Sequence, residues 1–422
     1  MDWQKLHDEA VLVDLHSHPS LKSSMFHRNL DGKKTRLLSR LFKSSFWPFS
    51  ERITFPKLEE GGVDVLLSTV YVLEQGWIDD IKLIKFLLWL FSGVRKEIAD
   101  PTYFDVTNMM LDNMEDEVSL YNAAIDMASS DDRRVRMVKS VEELLQGIAA
   151  NETCIVHSIE GAHSLQGAES GKTLDDEIAS DRESIGVEIL NNLEHFYNRG
   201  VAYLGLAHFY PNQCVYPVFP YPEYGLKHIP KDALGKWDST LGLTILGEAV
   251  VEKMLELGMI VDVTHCTPRA RARVYEIAEH HNKHSCIMAT HTGAYEINRD
   301  LYNLEDWEIK WISDHGGVIG VIFMNYWLSP IDTKLGLKYL LQTIEHVINI
   351  GGEDVIGIGT DFDGFTDPPD EIVDASQLPR FTKSLASEFK SVTERKYSDA
   401  TIKKILGGNA MRVLTEGWGK KS

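Results

Sequence analysis

The chain has 422 residues, 43% hydrophobic and 25% charged, the balance of a soluble globular protein with a substantial core. Its formal net charge of −20 argues against a nucleic-acid surface, which carries a basic excess, and mostly reports solubility. The four cysteines, Cys154, Cys214, Cys266 and Cys286, form no CxxC pair and no disulfide-rich pattern, which points to a reducing compartment.

Eight runs rich in Val, Ile and Leu, without polar alternation, read as buried parallel strands. They cover 11–16, 63–72, 153–159, 201–207, 259–264, 286–290, 317–323 and 354–360. Helix-like segments fall between them, at 78–97, 115–129, 140–150, 182–199, 246–257, 268–282, 305–314 and 334–350. Eight alternations of strand and helix predict an α/β fold, a (β/α)8 TIM barrel, as a single domain over 1–422. Long loops follow the first strand (20–60) and the fourth (209–245), and a helical C-terminal end, 378–415, is expected to pack outside the barrel. Between His27 and Arg52 the first loop has seven Lys or Arg against Asp31 and Glu51. Its RLLSRLFKSSFWPF stretch reads as an amphipathic helix, either a solvated cover over the barrel mouth or a basic face for an anionic substrate or membrane surface. The second loop, dense in Pro and Tyr, reads as an ordered wall or lid over the pocket.

The N-terminus lacks a basic start followed by an apolar stretch, so no signal peptide is visible. IKLIKFLLWLF is too short and too charged to span a bilayer, and the C-terminus shows no hydrophobic anchor tail. The expectation is a cytoplasmic protein without a membrane span.

Each of six apolar runs ends on a residue type that binds metals. His16 and His18 follow VLVDL, Glu160 follows TCIVHSI and His208 follows VAYLGLA. His265 follows MIVDVT, His291 follows CIMAT and Asp361 follows DVIGIGT. The C-terminal strand ends form the active-site face of such a barrel. His16 and His18, at i and i+2 of a strand, point to one face and can share one metal. Glu160 can bridge two cations through its two oxygens, the paired arrangement of many hydrolytic centres. His157, mid-strand, and His163, past the strand end, read as structural. His265 and His291 hold equivalent positions on neighbouring strands, and neutral imidazole suits zinc and similar metals. Asp361 can bind one metal and also accept a proton from a metal-bound water, with Asp363 as the competing carboxylate. His208 can donate to a developing oxyanion. Arg299, eight residues beyond His291, can pair with a substrate carboxylate or form a surface ion pair.

These residues resemble the membrane (renal) dipeptidase family, zinc dipeptidases of the amidohydrolase superfamily, over nearly the whole chain. The most specific segments are Glu160-Gly161-Ala162-His163-Ser164, Ile260-Val261-Asp262-Val263-Thr264-His265, His291-Thr292-Gly293-Ala294-Tyr295 and Gly357 through Gly364. Gly408-Asn409-Ala410-Met411-Arg412-Val413 fits the family's C-terminal pattern. The resemblance implies hydrolysis of short peptides, dipeptides with a C-terminal D-residue included, by metal-activated water. It implies two divalent metal ions, zinc the first expectation. His16, His18, Glu160 and Asp361 would hold one, and Glu160, His265 and His291 the other. It assigns Asp361 and His208 to catalysis, and His208 and Arg299 to substrate binding. It implies a small peptide partner and admits a homodimer, while the expectation of no nucleic acid and no membrane span comes from the charge and the apolar runs above. The chain departs from the family at His16-Ser17-His18, where the usual motif is His-x-Asp, and in its two long insertions.

Two rivals share the barrel. TatD-type deoxyribonucleases combine an HxH with a bridging glutamate, two histidines and an aspartate, but a phosphodiesterase calls for a basic groove. A lactonase or phosphotriesterase normally bridges its metals with a carboxylated lysine, and here that position is Glu160. A third reading is a barrel retained as a binding or scaffold protein. Such a protein would have lost ligands, and this chain has a plausible one at every expected position.

Overall fold

The computed structural model describes residues 2–26, 29–32, 51–80, 102–170, 183–219, 238, 240–281, 287–329, 337–364, 366–388 and 397–419. The expected amphipathic helix at 36–49, the apolar run 81–91, residues 220–237 of the second insertion and Cys286 lie outside them.

Among the described residues nine strands run β1 Val13–Ser17, β2 Val65–Tyr71, β3 Val135–Val138, β4 Thr153–Glu160, β5 Tyr203–Gly205, β6 Ile260–Asp262, β7 Ile287–Thr292, β8 Val318–Ile322 and β9 Ile356–Gly359. All except β3 are fully buried, as the continuous apolar runs require. These eight pair in parallel in the order β1-β2-β4-β5-β6-β7-β8-β9, and β9 pairs back onto β1. The result is the closed eight-stranded barrel that the sequence predicts. β3 is an addition. It pairs with Thr153–Val156 of β4 only, and β5 takes over that edge from Ser158 onward. Its four residues, two of them partly exposed, give no apolar run to read.

The expected helices appear as Val141–Ala149, Glu183–Asn198, Ile245–Leu257, Pro268–His281, Asp306–Asp314 and Leu337–Gly351. The one expected at 115–129 begins instead at Tyr103, because Thr102 and Asp105 form a capping box that satisfies the first orphan N–H groups.

The barrel interior is a cluster that includes Val13, Leu15, Val65, Leu67, Val156, Ile260, Met288 and Val318. The C-terminal helix Asn409–Gly417 corrects an expectation, since it closes the bottom of this interior rather than lying outside the barrel. Ala410, Val413 and Leu414 join the same cluster. Arg412 donates to the carbonyls of Gly316, Gly317 and Asp354, and Gly419 N–H to Gly258 O, all near the N-terminal ends of strands. A Cβ on Gly407 would stand 2.2 Å from Val11 O, so the chain can pass under β1 only with glycine there. With the bottom sealed, the open face is the C-terminal one.

Candidate metal centre

Two strands carry one extra residue where their histidines sit. Along β1, Asp14 and Ser17 face Leu66 and Ser68, three steps against two. Along β7, Ala289 and Thr292 face Ile319 and Val321, again three against two. Such bulges re-aim side chains beside active sites. Here they turn His16 and His291 inward, with ring centroids 3.7 Å apart. His265 (φ 65°) and Asp361 (φ 54°) take the left-handed backbone region. For residues other than glycine this conformation costs on the order of 1–3 kcal/mol and gathers at functional sites.

Six of the seven strand-end residues meet around one carboxylate. Glu160 Oε1 lies 3.2 Å from His265 Nε2, 3.3 Å from His291 Nε2 and 3.5 Å from His16 Nε2. Its Oε2 lies 3.5 Å from His18 Nε2, and His18 Nε2 lies 3.3 Å from Asp361 Oδ1. The nitrogens fall in pairs: His16 and His18 Nε2 at 3.0 Å, and His265 and His291 Nε2 at 3.1 Å. None of the six residues is more than 6% exposed.

This donor set fits divalent cations. Glu160 Oε1 is buried with no hydrogen-bond partner among the described residues, although three imidazole nitrogens surround it. Two nitrogens bound to one tetrahedral zinc at about 2.0–2.1 Å stand roughly 3.3–3.4 Å apart, close to both pairs. Burial pushes the His265 imidazole down to about 3 and His16 well below its ordinary value, so both present lone pairs rather than protons. Burial also lifts the Asp361 carboxyl above its usual range.

An outer layer fixes these ligands. His16 Nδ1 lies 2.8 Å from Tyr203 Oη, and His291 Nδ1 2.9 Å from Thr290 Oγ1, which leaves each Nε2 facing inward. Asp262 lies near His16 and His291, but its oxygens accept from Thr264 and Thr290, through both backbone and side chain. Asp14 likewise accepts from Ser17, from Thr360 and from His16 N–H, locking β1 to the turn after β9.

The other predicted residues sit around this cluster. His208 Nε2 is 3.9 Å from Glu160 Oε2, farther out than the six. Burial opposes its protonation, but the Glu74 and Glu160 carboxylates outweigh burial and raise its pKa. The structure does not bring Arg299 into the cluster: its side chain, on the loop after β7, is 74% exposed and pairs with Glu296 at 3.5 Å. Asp363 faces away, toward the backbone of Arg52 and Ile53. His157 Nε2 stands 3.3 Å from Glu115, and His163 Nε2 2.8 Å from the Val72 carbonyl. Of the second insertion, Phe209 and Phe219 form a wall with Trp77, and the Phe209 ring lies 5.1 Å from that of His265.

Sequence reasoning missed Glu74. It follows β2 by three residues, is 3% exposed, and accepts from His208 at 2.8 Å. Its position at the C-terminal end of a barrel strand was the available signal.

The description "membrane dipeptidase (peptidase family M19)" belongs to the family model that matches residues 182–418, more than half of the chain. That stretch contains His208, His265, His291, Arg299 and Asp361, while His16, His18 and Glu160 precede it. An uncharacterized protein in the pqqA 5′ region of Klebsiella pneumoniae is 34% identical over 187 residues, which is 44% of this chain and 64% of that protein. Human dipeptidase 3 is 24% identical over 317 residues, 72% of this chain and 58% of that protein. The chain thus spans about three-fifths of the length of these curated relatives. A Rhodobacter sphaeroides metallopeptidase, solved with a phosphinate mimic of the dipeptide L-Ala-D-Ala, superposes with a TM-score of 0.64 at 17% identity. That alignment covers 97% of this chain and 100% of the other, and it shows a shared fold. The chain belongs to the membrane dipeptidase family, peptidase family M19.

Proposed function

We propose that this protein is a binuclear metal-dependent dipeptidase. The observation that carries the reading is the Glu160 carboxylate, placed within 3.5 Å of four imidazole nitrogens on three other strand ends, with Asp361 beside His18. His16, His18, Glu160 and Asp361 would hold one cation, and Glu160, His265 and His291 the second. When bound, two divalent cations, zinc first, supply an activated water with a pKa of about 7 and polarise the scissile carbonyl.

The remaining chemistry belongs to the chain. Asp361, buried beside His18, takes the proton of the attacking water and passes it to the leaving amine. His208, donating from Nδ1 to Glu74 and protonated also on Nε2 beside Glu160, donates its Nε2–H to the oxyanion, a contribution of about 3–4 kcal/mol for a well-placed donor. Arg299 exchanges Glu296 for the C-terminal carboxylate of the substrate, which selects short peptides. The phosphinate mimic of L-Ala-D-Ala in the Rhodobacter protein supports extending the substrate range to C-terminal D-residues. With His18 in place of a carboxylate, the six side chains bring only two negative charges, those of Glu160 and Asp361, to two divalent cations. A net positive centre binds hydroxide and substrate carboxylate more readily.

The test is hydrolysis of L-L and L-D dipeptides, their C-terminal amides and tripeptides by zinc-loaded protein, with a chelated control. The reading expects chelator-sensitive cleavage of free dipeptides and little cleavage of the amides. Cleavage of amides and dipeptides at equal rates would remove the Arg299 clamp. No cleavage by fully loaded protein would overturn the dipeptidase assignment.

A further inference from the structure

Glu74 lies outside the metal cluster, yet it is tied to it through a single side chain. Its Oε2 accepts from His208 Nδ1 at 2.8 Å and from Tyr71 Oη at 2.8 Å. Its Oε1 accepts from the backbone N–H of Phe209 at 2.9 Å and of Tyr210 at 3.0 Å. An ionised carboxylate can only accept, so the His208 proton facing it sits on Nδ1 and the ring's Nε2 edge turns toward Glu160. One of the four donors is the ring itself, and a second, Tyr71, packs its own ring against it. The other two fix the backbone immediately after it, where the second insertion begins. The Tyr71 ring, 4.2 Å from that of His208, closes one side, and Phe209, 3.9 Å away, packs against it too.

We propose that Glu74 is a positioning residue that sets the ring plane of His208 and keeps its Nδ1 protonated, so that the Nε2 edge faces the substrate carbonyl. The inference rests on the dipeptidase reading for its catalytic consequence, and on the hydrogen-bond geometry alone for the Nδ1 proton. It has a chemical signature. A glutamine at 74 keeps the shape but turns an NH2 group toward one pair of donors, so it cannot satisfy all four. An aspartate keeps the charge on a shorter arm.

The test combines kinetics with a spectroscopic readout on zinc-loaded full-length protein. Glu74→Gln is expected to lower kcat for L-alanyl-D-alanine by about 10- to 100-fold, with KM within about threefold and zinc content unchanged. Glu74→Asp should recover part of that loss. In a His208→Ala background, Glu74→Gln should change kcat far less than it does in the wild type, because the ring it positions is gone. A full additional loss in that background, or loss of zinc with Glu74→Gln, would overturn the proposal. In protein labelled with 15N-histidine, the wild type should show an exchange-protected Nδ1–H signal that disappears in His208→Ala and shifts in Glu74→Gln. A His208 ring protonated only on Nε2 would also overturn it. This second readout needs no substrate, so a protein that cleaves no dipeptide would sink the dipeptidase reading while the Nδ1 proton is still decided.

Discussion

Asp363 accepts the backbone N–H of Arg52 on both carboxylate oxygens, at 3.0 and 3.1 Å, and that of Ile53 at 2.9 Å. The contact staples the return of the first insertion to the turn that carries Asp361. Two carboxylates two residues apart thus face opposite ways, one to the loop and one to His18. Both sit at positive φ, 54° and 66°. The sequence left them as competitors, and the geometry gives them different surroundings.

The Asp363→Asn variant should therefore lose stability more than chemistry. An amide keeps one acceptor but brings an N–H toward backbone donors, at a cost of about 1–3 kcal/mol. Urea denaturation of the metal-loaded protein measures it. An unchanged midpoint would show that the staple contributes nothing.

Asp361→Asn should do the reverse. Turnover is expected to fall by about 10²–10⁴-fold, the range for a lost general acid–base, with the fold retained by circular dichroism. Near-normal kcat would refute the proton-transfer role.

The barrel was legible because its strands are buried on both faces and so read as unbroken apolar runs, each ending on a residue that breaks the run. That feature located His16, Glu160, His265, His291 and Asp361. The convergence of His16 and His291 was not legible in the same way. It depends on an extra residue in β1 and β7, and neither VDLHS nor IMATHT contains a glycine or proline to mark a bulge. Nothing local signals the left-handed backbone at His265. Glu74 follows its strand by three residues and gave no motif. The helix Asn409–Gly417 announced which residues it buries, but an apolar stripe does not say against what, and the partner proved to be the barrel interior.

A second buried pair holds the scaffold under the ligand loops. Arg271 pairs with Glu308 through Nε at 2.6 Å and Nη2 at 2.9 Å, and donates to the carbonyls of Cys266, Leu301 and Asn303. Cys266 adjoins His265, so the pair braces the turn that carries His265. Arg271→Ala leaves Glu308 charged and buried without its partner, and should destabilise by about 3–5 kcal/mol in chemical denaturation. Wild-type stability would contradict this account.

His7 supplies a pH signature away from the centre. It is buried between Thr382 Oγ1 at 2.8 Å and the Gly61 carbonyl at 3.1 Å, and burial lowers its pKa below the ordinary 6.5. Below pH 6.5 the unfolded chain binds this proton more readily than the folded one. The stability that neutral His7 contributes is therefore present above pH 6.5 and is lost as pH falls toward its folded-state pKa. The fall in melting temperature between pH 7.5 and 5.5 should be smaller in His7→Gln than in the wild type. An equal or larger fall would mean that His7 does not contribute.

The most direct measurement is the number of metal ions per chain after zinc loading and desalting, in the wild type and in Glu160→Ala. If Glu160 bridges two sites, the wild type holds about two ions and the variant about one or fewer, because removal of one side chain weakens both sites. Fewer than about one ion in the wild type, or two held as tightly without Glu160, would contradict the binuclear centre.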